Sequence, residues 1–262
     1  MRLGASLVVV ASLAAAGCGG CASAPPGAPD WSRADAGGSA GPLIVLDAGH
    51  GGHDPGASYF GLQEKHLALD IARILRAQLE GAGCRVVMTR EGDTFVPLEE
   101  RIASANRLSA DLFISVHINA NTNGGVSGAE VYYARESTVS EEAGWPPEAE
   151  GEEVGGPAGI VRHILWDFTL RRMRARSRYA AAELCETLRG GLGVSCKVKP
   201  ARFVVLREAA VPAVLVEVGY LSHWAEAKQL EMVPYRESAA RAIAGGAFKA
   251  VGFDVRARAS AP

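Results

Sequence analysis

Leu43-Ile44-Val45-Leu46-Asp47-Ala48-Gly49-His50-Gly51-Gly52 sets an aliphatic run against a glycine-rich turn that carries a histidine. A short continuous apolar run bounded by turn residues is the pattern of a buried strand running into a loop. The glycines let the backbone turn sharply beyond the strand and expose the imidazole of His50. A phosphate-cradling reading of this loop fails, because no Gly-Lys-Ser/Thr follows it.

Outward from this unit, strands and helices alternate. Leu67, Ile71, Leu75 and Leu79 share one helix face over Glu64–Leu79, and Gly81 and Gly83 stop that helix. Arg85–Met88 predicts a second strand, Leu98–Leu108 a helix, Leu112–Val116 a third strand and Ala129–Tyr133 a further one. Helical periodicity runs from Ile160 to about Leu192, Phe203–Leu206 and Ala213–Val216 predict two more strands, and Ala225–Met232 and Tyr235–Val251 predict closing helices. Aliphatic strands between helices imply an α/β fold, a single domain with a twisted, mostly parallel sheet and helices on both faces.

The flanks read differently. Met1-Arg2 and the small apolar run Leu3–Ala16 suit a secretory signal and are too short for a membrane span. Leu13-Ala14-Ala15-Ala16-Gly17-Cys18 resembles a bacterial lipoprotein cleavage box, with Cys18 as the residue to be lipidated and Ala15 where a larger aliphatic residue is usual. The alternative is a plain signal peptide cleaved near Ala22 or Ala24. Residues 1–21 are therefore expected to be a signal peptide of lipoprotein type, 22–41 a flexible linker and 42–254 the catalytic domain. Residues 255–262 are expected to be a disordered tail. The expected location is exported, in the periplasm or cell envelope, anchored by lipid alone if at all.

Within the domain, residues 134–159 are rich in Glu, Gly and Pro and form an acidic insertion. A loop of this length in a compact domain is functional or disordered. The formal net charge of −2 over 262 residues argues against nucleic acid as a partner. Cys84, Cys185 and Cys196 lack thiolate metal spacing. They are expected to be buried free thiols, with a Cys185–Cys196 disulfide as the alternative that export permits.

Four residues stand where α/β folds gather their sites, beyond strand ends or at helix starts. His50 follows the first strand, Glu64 opens the first long helix, His117 ends the third strand, and Glu217 extends the aliphatic run Ala213–Val216. Each has a structural reading too: a histidine held in a turn, a glutamate serving the helix dipole, a core histidine, and a buried acid with a partner. Two imidazoles and a carboxylate match a catalytic zinc site with water in the fourth place. A further glutamate beside that water serves as general base. His53 competes with His50. His66 and His163 read as surface residues, Arg171–Arg178 as a solvated basic helix face, and Trp166 and Phe168 as core contacts.

The ordered motifs resemble the zinc-dependent N-acetylmuramoyl-L-alanine amidase catalytic domain, over nearly all of Pro42–Phe253. They are Leu46–Gly52, Asp54–Ala57, Gly61–Lys65, Thr89-Arg90, Arg101, Ala105-Asn106, Ala110–Ala120, Gly128–Glu130 and Pro212–Ser222. The resemblance implies His50, Glu64 and His117 as ligands of one Zn2+ ion and Glu217 as the catalytic carboxylate. The substrate it implies is peptidoglycan, cut between N-acetylmuramic acid and L-alanine. Ala48 stands where proline is common, and His223 where asparagine is usual. Some relatives cover their zinc with a segment that an activator protein moves, so the insertion is a candidate self-inhibitory element with such a partner. The competing reading is a non-hydrolytic zinc-binding envelope protein that regulates wall turnover.

Overall fold

The computed structural model describes residues 41–135 and 157–255, apart from the side chains of 157–160, 162 and 163. The leader with Cys18, the linker up to residue 40, acidic residues 136–156 and the tail beyond 255 lie outside the described residues. In chain order the first half contains β1 (Leu43–Ala48), β2 (Ser58–Tyr59), β3 (Leu62–Gln63), α1 (Glu64–Gly81), β4 (Arg85–Met88), α2 (Leu98–Arg107) and β5 (Leu112–Asn119). β6 (Ala129–Ala134), α3 (Pro157–Leu192), β7 (Cys196–Ala201) and α4 (Val204–Arg207) follow. The chain continues through β8 (Ala213–Tyr220), α5 (Trp224–Glu231) and α6 (Val233–Val251).

Among the described residues the main sheet has the order β4-β1-β5-β8-β6-β7. All its pairings are parallel except β6 with β8. Side chains alternate across it with the period of two that a strand imposes. Ile44, Leu46, Ile114, Val116, Val214 and Val216 pack on the face covered by α1, α3 and α6. Val45, Phe113, Ala213 and Leu215 face the other way, toward Ile102 and Ala105 of α2 and Val205 and Leu206 of α4. On that second face the next residues of the same parity are polar: Asp47 on β1, Ser115 and His117 on β5, Glu217 on β8. The smaller hydrophobic layer thus gives way to a polar end of the sheet.

One expected element is corrected, and two strands of a small hairpin are added. Phe203–Leu206 is not a strand: Phe203 precedes the single helical turn α4, whose Val205 and Leu206 are buried. The strand lies earlier, at β7, on the edge of the sheet. Its Lys197, Lys199 and Pro200 mask the strand pattern, and they are the residues that protect an open edge from pairing with another chain. A small hairpin, β2–β3, also escapes the sequence pattern. Its turn residues Phe60 and Gly61 both have positive φ (53° and 79°), as a tight two-residue hairpin turn requires.

Cys185 and Cys196 form a disulfide with Cα atoms 5.5 Å apart, which overturns the expectation that these two are free thiols; Cys84 is buried in the core. The bridge fastens the end of α3 to the edge strand. Phe168 is 64% exposed and is not a core contact. Within the basic run, Arg171, Arg172, Arg176 and Arg178 are exposed, whereas Arg174 is buried. His223 precedes α5 and caps it, its Nδ1 accepting from the Glu226 amide at 3.3 Å.

Candidate metal centre

Three elements deliver three side chains to one point. His50 sits in the turn after β1, with a left-handed backbone (φ 60°) uncommon for a residue bearing a Cβ. Glu64 is the first residue of α1, and His117 lies near the end of β5. One candidate ligand atom from each lies within 4.8 Å of the others, a grouping that could hold a metal ion. His50 Nε2 is 3.1 Å from Glu64 Oε2, and His117 Nδ1 is 2.8 Å from Glu64 Oε1.

Backbone amides fix the carboxylate independently of the imidazoles. The amide of Ala57 donates to Glu64 Oε2 at 2.9 Å and that of Ile118 to Oε1 at 3.0 Å. Two glycines make the close approach possible. A Cβ on Gly49 would stand 2.3 Å from the His117 ring, and one on Gly56 would stand 2.6 Å from both Glu64 Oε2 and the His50 ring. The other ring nitrogen of His50 is 2.7 Å from Asp54 Oδ2, the carboxylate–histidine pairing that orients a ligating imidazole.

Charge follows from this packing. Burial pushes the Glu64 carboxyl up, but its bonds with His117 and His50 outweigh it and hold the group far below the usual carboxylate range. Burial lowers the His50 imidazole, yet Glu64 and then Asp54 hold it above the ordinary value. Glu217 shows the opposite behaviour. Burial, then the negative charges of Glu64 and Glu130, push its carboxyl well above the ordinary value. Its Oε2 is buried without a hydrogen-bond partner. In the β5–β8 register Glu217 is the direct partner of His117.

A cleft of about 540 Å³ opens over these groups. His50, His117 and Glu217 line it, with Phe95 and Leu98 from the α2 side and Phe203 and Val204 from the α4 side. Phe95, Leu98 and Phe203 are exposed. The four residues singled out in the sequence therefore converge. His53 does not join them; it is exposed and lies against Phe95, ring centroids 4.2 Å apart. His66 is exposed on α1. The sequence reading missed the role of Asp54, although its place four residues after His50 was a usable signal. It also missed that Arg90, Arg101 and Glu130, noted there only as motif residues, surround this site.

A family model described as N-acetylmuramoyl-L-alanine amidase matches residues 44–249. The chain belongs to the N-acetylmuramoyl-L-alanine amidase family. AmiC of Neisseria meningitidis serogroup B is 39% identical over 215 residues, which cover 78% of this chain and 51% of the relative. The chain thus spans about half the length of that amidase. Among solved structures, the amidase AmiC2 of Nostoc punctiforme is 31% identical with a TM-score of 0.62, covering 81% of this chain and 98% of that one. CwlD of Clostridioides difficile, solved in complex with the GerS lipoprotein, is 25% identical with a TM-score of 0.61, covering 81% of this chain and all of CwlD (100%). The α/β sheet described above is the amidase catalytic fold.

Proposed function

We propose that this chain is a zinc-dependent peptidoglycan hydrolase that cleaves the amide between N-acetylmuramic acid and the L-alanine of the stem peptide. The observation that carries the reading is the convergence of His50, Glu64 and His117 on one point, with both histidines and Glu217, whose Oε2 is unpartnered, lining one cleft of an amidase fold. A His, His, carboxylate donor set suits catalytic zinc, and members of the family are typically zinc-dependent. Zinc held there would supply Lewis acidity toward a carbonyl oxygen and toward water.

This chain's own residues do the rest. Asp54 orients His50, and Glu64 arrives already fixed by two backbone amides. Glu217 takes a proton from the attacking water and returns it to the leaving amine nitrogen, which departs as the amino terminus of L-alanine. The apolar walls at Phe95, Leu98 and Phe203 limit the water around the reacting amide.

The competing reading, a zinc-binding envelope protein without activity, needs the proton carrier to be missing, and Glu217 is present. Export, with lipid on Cys18, fits a substrate outside the cytoplasm, and no helix among the described residues is long and apolar enough to cross a membrane. Loss of lipid labelling in Cys18→Ser would support the anchor, and unchanged labelling would remove it. CwlD's complex with a lipoprotein makes an activator partner a fitting extension. Deleting acidic residues 136–156 should raise basal activity if they inhibit, and unchanged activity would end that idea.

The deciding experiment is mass spectrometry of muropeptides after purified peptidoglycan meets the zinc-loaded protein, beside Glu217→Gln. Free stem peptides with an L-alanine amino terminus are expected from the wild type alone. Zinc binding without release, even after removal of 136–156, would bring the non-hydrolytic reading forward.

A further inference from the structure

We propose that Arg90 and Arg101 are positioning residues for the metal centre: Arg101 holds the His50 peptide itself, and Arg90 sets the spacing between the His50 loop and the start of α1, where Glu64 sits. The inference rests on the reading of His50 and Glu64 as ligands.

Both guanidinium groups are buried, at 1% and 2% exposure. Arg101 donates from Nη2 to the His50 carbonyl at 2.8 Å, and from Nη1 to the Ala48 carbonyl at 2.8 Å and to Asp47 Oδ1 at 2.7 Å. Its Nε donates to the Val96 carbonyl at 2.9 Å. Arg90 donates from Nε to the same Ala48 carbonyl at 2.8 Å and from Nη2 to the Gly49 carbonyl at 2.8 Å. That same Nη2 reaches the carbonyl of Lys65, next to Glu64, at 2.7 Å.

Consecutive carbonyls of Ala48, Gly49 and His50 are therefore all held by two side chains. They bracket the backbone at which His50 takes its left-handed conformation. Two like charges sharing one acceptor in a dry environment are costly, and well-packed apolar side chains would fill the space as well or better. Asp47 offsets the charge, and it is held in turn by the hydroxyls of Thr89 and Ser115, both at 2.6 Å. What the arrangement gains is direction. A planar guanidinium fixes several acceptors at set angles, which an apolar residue or a lysine ammonium cannot do. A ligand displaced by a fraction of an ångström costs metal affinity before it costs the fold.

The test compares Arg101→Lys and Arg90→Lys with the wild type in the full chain. Both keep the charge and lose the fork. Zinc affinity is read by competition with a chromophoric chelator, and the melting temperature of the metal-free protein is measured beside it. We expect zinc binding to weaken about 10- to 100-fold. Leu188→Ala, a core truncation on α3, should lower the melting temperature and leave zinc affinity alone. If the arginine variants only melt earlier and bind zinc as tightly as the wild type, their role is structural and the proposal falls. If they do not fold, Thr89→Val with Ser115→Ala loosens Asp47 and keeps both arginines. A fall in zinc affinity there upholds the proposal, and no change overturns it. Should His50→Ala bind zinc as well as the wild type, the ligand assignment is at fault instead.

Discussion

Glu130 stands directly across from Glu217 in the antiparallel pairing of β6 with β8. The two carboxyl groups have been given opposite environments. Glu130 accepts from Lys199, from the Tyr132 hydroxyl and from Asn119. Burial raises it, but the bonds from Lys199, Tyr132 and Tyr220 hold it below the ordinary value. Glu217 keeps an unpartnered oxygen and is pushed up. Paired carboxyl groups driven apart in this way separate a fixed charge from a proton carrier.

The first prediction concerns this pair. Glu217→Gln should lower kcat about 100- to 10,000-fold, with zinc affinity preserved. Glu130→Gln should leave substantial activity. With a negative neighbour gone, Glu217 ionises more easily, so the acid limb of the rate–pH profile should move to lower pH. An unmoved limb, or one displaced upward, would show that Glu217 is not the titrating base.

Stability should record the same burial. Glu217 has a folded-state pKa above the ordinary glutamate value of 4.5, so the metal-free wild type loses stability as pH rises from there through the raised value. Glutamine does not titrate. Glu217→Gln should therefore melt higher than the wild type at neutral pH, with a gap that grows as pH rises from about 4.5 and then levels off. Equal melting temperatures across that window would mean that the carboxyl is better solvated than its surroundings imply.

Metal binding should depend on pH with the opposite sign. His50 is held protonated above its ordinary value of 6.5 by Glu64 and Asp54, and a ligating imidazole must give up that proton. Zinc affinity should fall about tenfold per pH unit as pH drops below the raised value, and chelation should abolish turnover. Asp54→Asn should weaken binding about 10- to 100-fold, because His50 loses the group that orients it. Affinity that is flat across the range would separate His50 from the metal.

Much of this was legible before any coordinates. The aliphatic strands β1, β5 and β8 announce themselves because both faces are buried and no polar residue interrupts them until the site begins. His50, His117 and Glu217 stand out because each breaks such a pattern. Glu64 did not break one, since glutamate suits any first helical turn, and only its place between two imidazoles distinguishes it. The edge strand β7 was hidden by its lysines and proline, and its loss shifted the expected strand onto α4. Arg90 and Arg101 sit 41 and 51 residues from the carbonyls of Gly49 and His50 that they hold. No local pattern reports contacts at that range.

The disulfide offers a prediction independent of the metal. Cys185 and Cys196 are separated by 11 residues and close the turn between α3 and β7. Restricting a loop of this size in the unfolded chain stabilises a fold by about 3 kcal/mol. Replacing both cysteines by alanine should lower the unfolding free energy by about that amount, read from urea denaturation at 25 °C. β7 carries Lys199, the ion-pair partner of Glu130, so a loosened edge strand should also disturb the pair opposite Glu217. The expected signature is a lower melting temperature together with a small displacement of the rate–pH profile. Unchanged stability would assign the hold on this junction to other contacts, such as the bond from Arg189 Nη2 to the Cys196 carbonyl at 3.1 Å.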